Sequence, residues 1–207
     1  MCFTEPVFGC YHTNWSQYRP GAGQFFPYDI DPFLCTHLFY SFAKIANGVL
    51  APYEWNDEST EWSKGMFEHF TDLKMQNPGL KTLLAVGGWT HGSKGFTEVV
   101  ASASSRKKFN DHAIGYLRKW KFDGLDLDWE YPGDNVRSDD PNKRPENREL
   151  FTTWCKVSHV VFGWYCCRIK LEEKTTRMVV VVQHTFIYRA KNVYKDVTQL
   201  CFGIYFL

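Results

Sequence analysis

No run in this 207-residue chain approaches the roughly 18 consecutive apolar positions of a bilayer-spanning helix, so nothing in it reads as a membrane span. No two cysteines stand in a CxxC spacing. The seven, at 2, 10, 35, 155, 166, 167 and 201, form no Cys/His pattern of the kind that holds zinc, so no metal is expected. Net charge is almost absent as well. With 24 basic and 23 acidic residues the chain carries +1, which gives no global electrostatic footprint for nucleic acid or an anionic membrane. Low-complexity and disordered classes are excluded by 44% hydrophobic and 23% charged residues. The first eight residues, Met-Cys-Phe-Thr-Glu-Pro-Val-Phe, lack the charged start and long apolar stretch of a signal peptide. On that ground alone, either Met1 is not the natural start or the chain stays inside the cell.

What is abundant is aromatic. Eight Trp, 11 Tyr and 17 Phe are more rings than one core of this size needs, so some are expected to face a neutral ligand. The length fits one core rather than two. Charge is distributed unevenly: residues 1–151 carry −4 and the last 56 carry +5, so the chain changes character near residue 152.

Up to about residue 150, strands alternate with helices. Val7–His12, Thr36–Ala43, Leu80–Val86 and Phe122–Glu130 read as strands by their β-branched and aromatic content. Trp62, Met66, Phe70 and Leu73 recur at helical spacing before the Asn77-Pro78-Gly79 stop, and Phe109, Ala113, Tyr116, Leu117 and Trp120 mark a second helix. This order predicts an α/β fold with parallel strands and crossover helices, either a doubly wound sheet or a (β/α) barrel.

Chemistry concentrates in the fourth strand, Phe122-Asp123-Gly124-Leu125-Asp126-Leu127-Asp128-Trp129-Glu130. Strand side chains alternate faces, which puts Asp126, Asp128 and Glu130 on one side and Leu125, Leu127 and Trp129 on the other. A parallel strand under helices is ordinarily apolar on both faces, and burying ionised carboxylates costs several kcal/mol each unless they are paired, protonated or metal-bound. A solvated antiparallel edge strand would carry the same pattern, but the flanking crossovers argue against an edge. A Mg²⁺ or Ca²⁺ cage would need further oxygen ligands, and no second acidic cluster follows a strand end. Acids about 6.6 Å apart along one face couple in their titration, and the outermost, Glu130 at the C-terminal strand end, becomes the general-acid candidate.

These residues resemble a known family. Asp123-Gly-Leu-Asp-Leu-Asp-Trp-Glu130 is similar to the DxxDxDxE signature of glycoside hydrolase family 18, the chitinases, and Tyr131-Pro132-Gly133 continues the match. Leu83 to Trp89 resembles the family's third-strand SxGGW motif, with Ala85 where Ser is often found. Tyr40-Ser41-Phe42-Ala43 and the segment Cys10 to Arg19 resemble its second and first strands. The resemblance covers roughly residues 6–155 and is closest to secreted animal chitinases and their lectin-like relatives.

The resemblance implies a (β/α)₈ TIM-type barrel, present here as about its first four β/α units. It also implies hydrolysis of the β-1,4 N-acetylglucosamine linkages of chitin or chito-oligosaccharides, without a cofactor. By position Glu130 would protonate the glycosidic oxygen, Asp128 would hold the acetamide N–H, and Asp126 would sit beneath as electrostatic partner. Trp89, Trp15, Tyr11, Phe42 and Tyr131 would line the sugar groove, while Asp123, Gly87 and Gly88 would be structural. The family cleaves with substrate assistance, the acetamide oxygen attacking the anomeric carbon, which suits a sequence that offers no second carboxylate. Cys10 and Cys35 match a disulfide of the animal enzymes, which implies an extracellular, oxidising setting. The sequon Asn14-Trp15-Ser16 is expected to be chance, since a glycan there would crowd Trp15. The histidines are expected to be core or solvated. Residues 156–207 lack the family's later motifs and read as a divergent tail, a read-through or mis-spliced product, in which the Val179–Val182 run and the final segment could be forced into fifth and sixth strands. Four recognisable strands would leave open sheet edges, so a marginally folded chain with little activity is expected. A chitin-binding lectin and an inactive fragment are the alternatives to an enzyme.

Overall fold

A computed structural model describes residues 7–133, 140–142, 144–161, 178–181 and 200–204. Four parallel strands form its centre: β1 (Val7–Thr13), β2 (His37–Ala46), β4 (Lys81–Gly87) and β5 (Gly124–Trp129). A short strand, β3 (Val49–Ala51), folds back on β2 through Asn47-Gly48, both at positive φ, the backbone that a two-residue hairpin demands. Helices α1 (Met66–Thr71, continued by a 3-10 turn over Asp72–Met75), α2 (Lys94–Val100) and α3 (Ala103–Lys119) make the crossovers, and α4 (Asn147–Val161) follows β5. This succession of parallel strands and crossover helices is the one expected of the opening part of a TIM-type barrel. α3 begins at Ser102, whose hydroxyl accepts the Ser105 N–H, and it ends at Trp120.

Period-2 alternation decides which side chains meet the helices. Leu38, Tyr40, Leu84, Val86, Leu125, Leu127 and Trp129 pack outward with Phe67, Phe70, Phe96, Phe109 and Trp154 in the main core. Phe39 and Leu83, with Tyr11 against them, form a second cluster separate from that core. The strand register sets Tyr11, Phe39, Leu83 and Gly124 in one row and Thr13, Ser41, Ala85 and Asp126 in the next.

Two expectations are corrected. Trp62 lies outside the helix, 92% exposed, because α1 begins only at Met66, after Gly65 has brought its backbone against that of Asp57 to Ser59. The edges of the parallel sheet are also not open. β6 (Met178–Val181) pairs antiparallel with β5 and β7 (Leu200–Ile204) antiparallel with β1, giving the order β6-β5-β4-β2-β1-β7. The Val run and the last segment are therefore strands on opposite edges, where they satisfy edge backbone groups, rather than parallel fifth and sixth strands. Val182, at the end of that run, lies outside the described residues.

Candidate active site

Three of the motif's four acids are withdrawn from water at β5 and just beyond it: Asp126 is 0%, Asp128 7% and Glu130 2% exposed. Leu125, Leu127 and Trp129 on the opposite face lie in the main core, so the alternation places the acids as expected. The deepest acid is held by a side chain from the first strand. Tyr11 donates its hydroxyl to Asp126 Oδ2 at 2.7 Å while its ring stacks on Phe39, with centroids 4.6 Å apart. Tyr11 is thus placed beside Asp126, against the cluster that is separate from the main core.

The Gly-Gly pair after β4 brings its backbone onto β5. Gly87 has φ +118, and a Cβ there would stand 2.2 Å from the Asp128 carbonyl oxygen. Gly88, at φ +81, donates its N–H to that same oxygen at 2.8 Å, and a Cβ there would meet Phe42 at 2.7 Å. Only residues without side chains fit both places. The peptide bonds Ser41–Phe42 and Glu130–Tyr131 are cis.

Aromatic rings surround this point. Trp15, on the 3-10 turn Asn14–Tyr18, is 45% exposed and stacks on Phe42 at 6.0 Å; Trp89 is 53% exposed. Tyr131 follows Glu130 directly and is partly exposed. The loop that bears Trp89 is fixed on both sides. Trp129 Nε1 donates to Ser93 Oγ, Ser93 N–H donates to Asp140 Oδ2, and Ile45 N–H donates to His91 Nε2 at 3.0 Å. Only an unprotonated nitrogen can accept that last bond, and burial lowers the His91 pKa accordingly.

Asp123 stands apart from the other acids, at the opposite end of the motif. Its Oδ2 accepts Thr82 N–H at 2.8 Å and Lys74 Nζ at 2.8 Å, joining the starts of β4 and β5. Cys10 and Cys35 are joined by a disulfide. Asn14 is 3% exposed with its amide donating to Phe42 O, so the sequon is buried and occupied. His12 is a core ring between Phe25, Tyr40 and Phe70; burial, with the Arg19 charge adding, pushes it down to about 3. Among the described residues no group of three or more His, Cys, Asp or Glu is arranged to hold a metal ion.

Two supports went unread in the sequence. Asp140 reaches back to Ser93, and Asp57, fully buried, accepts the Tyr40 hydroxyl at 2.5 Å and the N–H groups of Tyr53 and Glu54. The Asn47-Gly48 hairpin did have a local signal in its dipeptide. Asp140 and Asp57 had none beyond being acids in loops.

Comparisons with known proteins place the chain in a family. Residues 7–165 match the family described as Glycosyl hydrolases family 18. The chain belongs to that family. It is 55% identical over 127 residues to an endochitinase of Brugia malayi and 53% identical over 124 residues to chitotriosidase-1 of Mus musculus. Those stretches are 61% and 60% of this chain but 25% of each relative. The group IV chitinase of Ostrinia furnacalis superposes with a TM-score of 0.68 at 37% identity, over 77% of this chain and 41% of that one. Human YKL-39, described as a pseudo-chitinase with retained chitooligosaccharide binding, gives 0.63 at 38% identity over 75% and 38%. The chain thus spans about a quarter of the length of these two curated relatives and about two fifths of the two solved ones.

Proposed function

We propose that this chain carries the acid/base part of a chitin-cleaving site that works with substrate assistance and retention. Glu130 protonates the glycosidic oxygen, Asp128 turns the N-acetyl group so that its carbonyl oxygen attacks the anomeric carbon, and Asp126 tunes Asp128 from below. Glu130, deprotonated by that first step, then takes the proton of the water that opens the intermediate. The observation that carries this reading is the burial of three carboxylates on one strand face beside aromatic rings, since such a cluster is costly to bury and perturbed carboxylates gather at functional sites. Trp89, Trp15, Phe42 and Tyr131 supply flat surfaces for pyranose faces, and chitin or chito-oligosaccharides are the ligand. The expected setting is extracellular, as the Cys10–Cys35 disulfide requires oxidising conditions to form.

The test is incubation of the purified chain and its Glu130→Gln variant with chito-oligosaccharides. Cleavage by the first, reduced by about 10²–10⁴ in the second with binding kept, is the expected result. Equal turnover in both removes Glu130 from the mechanism.

A second reading has a specific observation behind it, the exposed rings of Trp15 and Trp89: binding without cleavage, as a lectin-like protein. Intact oligosaccharides recovered in complex with the chain would establish it. For residues 156–207 we propose a divergent tail read through a splice donor at Lys156-Val157-Ser158; an uninterrupted exon across codon 156 refutes this.

A further inference from the structure

The loop between β4 and α2 turns Trp89 and Thr90 to solvent and His91 toward the fold. Gly88 at φ +81 and Gly92 at φ +63 bound it, and a glycine at each end leaves the direction of the segment to its contacts. Exposed side chains cannot set where such a loop stands. The fixing groups must therefore come from its inward side. The His91 N–H donates to Gly88 O at 3.2 Å, which closes a turn with Trp89 and Thr90 at its centre.

The His91 side chain uses both ring nitrogens. Nε2 accepts the Ile45 N–H at 3.0 Å, which assigns the ring proton to Nδ1 and makes Nδ1 the donor to Gly92 O at 3.1 Å. Burial, which lowers the His91 pKa, keeps the ring in that form. Ile45 lies beyond Ala43 and Val86, the last pair of β2 with β4, so an imidazole binds the strand where β4 has ended. The ring meets Phe96 edge-on at 5.3 Å, and Phe96 stacks at 4.9 Å on Trp129, the residue between Asp128 and Glu130. A Cβ on Gly95 would stand 2.8 Å from both His91 Cε1 and Ile45 Cβ, so α2 closes another side.

Two other ties of this loop run to β5: Gly88 N–H to Asp128 O at 2.8 Å and Trp129 Nε1 to Ser93 Oγ at 2.8 Å. His91 makes the tie to β2. The loop is thus spanned between two strands, and a ring held in place before its ligand arrives loses little freedom on binding. We propose that His91 is a positioning residue for Trp89: its imidazole ties the loop to β2 and so fixes where the Trp89 ring stands relative to β5 and its acids. This rests on the proposed function, in which Trp89 supplies a flat surface to a sugar of the β-1,4 N-acetylglucosamine class. His91 itself touches no sugar.

The experiment titrates the whole chain calorimetrically with the trimer of β-1,4-linked N-acetylglucosamine. His91→Asn keeps a polar side chain but ends short of Ile45, whereas His91→Gln extends an amide oxygen to the reach of Nε2. The expected result is affinity lower by about tenfold in His91→Asn and within about twofold of the parent in His91→Gln. Combined with Trp89→Ala, His91→Asn should cause no further loss, because its effect passes through that ring. A merely structural His91 would lower the melting temperature at unchanged affinity, or lower affinity by the same factor with and without Trp89; either result overturns the proposal. So does a His91→Gln protein as weak as His91→Asn. Should His91→Asn fail to fold, His91→Leu, which fills the space without an acceptor, takes its place in the same comparison. A parent chain that does not bind the trimer fails the proposed function and this inference with it. A parent that binds while His91→Asn binds equally well fails only this inference.

Discussion

Replacing Gly87 by alanine should damage the fold and the site together, and the structure permits an estimate of how much. At φ +118 an L-residue sits in a region that is almost the property of glycine, a cost of about 1–3 kcal/mol. The added Cβ would stand 2.2 Å from the Asp128 carbonyl oxygen and 2.8 Å from Phe96 Cζ, so the end of β5 must move by roughly an ångström, an overpacking penalty of about 1–3 kcal/mol more. The Gly88 N–H bond to the same carbonyl is stretched by that movement. A loss of roughly 2–6 kcal/mol follows, a large part of the stability of an ordinary domain. Gly115 is the internal control: it lies exposed within α3, nothing stands within 4 Å of its would-be Cβ, and alanine there should gain about 0.5–1 kcal/mol. Urea unfolding of the two variants beside the parent chain, under oxidising conditions, reads both effects. Any turnover in the Gly87→Ala protein that remains folded should fall about 10²-fold, since Glu130 lies two residues beyond the displaced carbonyl. A Gly87→Ala protein within 1 kcal/mol of its parent would refute the steric reasoning.

Further outcomes are open to measurement. Cys10→Ser with Cys35→Ser opens a loop with a sequence separation of 25, for which chain entropy gives a loss of about 3.5 kcal/mol, checked by unfolding with and without reductant. His12, held neutral in the fold down to about 3, titrates near 6.5 when unfolded, so its contribution is complete above about 6.5 and is lost as pH falls toward 3. At pH 5 that loss is about 2 kcal/mol, and His12→Phe, which keeps a ring between Phe25, Tyr40 and Phe70, should abolish it; an identical pH slope in both proteins contradicts the assignment. Asp57, which burial raises to about 6, works in the opposite sense, stabilising less as pH rises through that value, so the His12 effect must be read as a difference between the two proteins. Tyr11→Phe removes the hydroxyl on Asp126 and should lower turnover about tenfold with sugar binding unchanged; weaker binding at equal turnover would place Tyr11 in the groove instead.

The local pattern of the chain determined a good deal by itself. Period-2 alternation in residues 123–130 separated Asp126, Asp128 and Glu130 from Leu125, Leu127 and Trp129, and the structure keeps that separation because a strand has no other way to orient successive side chains. The four central strands were legible for the same reason, as was the stop at Asn77-Pro78-Gly79. Tertiary structure alone decided what lies across the chain. Tyr11 meets Asp126 across 115 positions, a pairing made by strand order and register. Asp57 reads as one more acid in a polar turn until Tyr40 is brought against it. The Val run was visible as a strand, but its antiparallel seat on β5 was not, because hydrophobicity specifies that a strand pairs and says nothing of its direction or neighbour. Residues that carry charge inward along one strand are written in local sequence, whereas the residues that hold them in place are chosen by which elements the fold sets side by side.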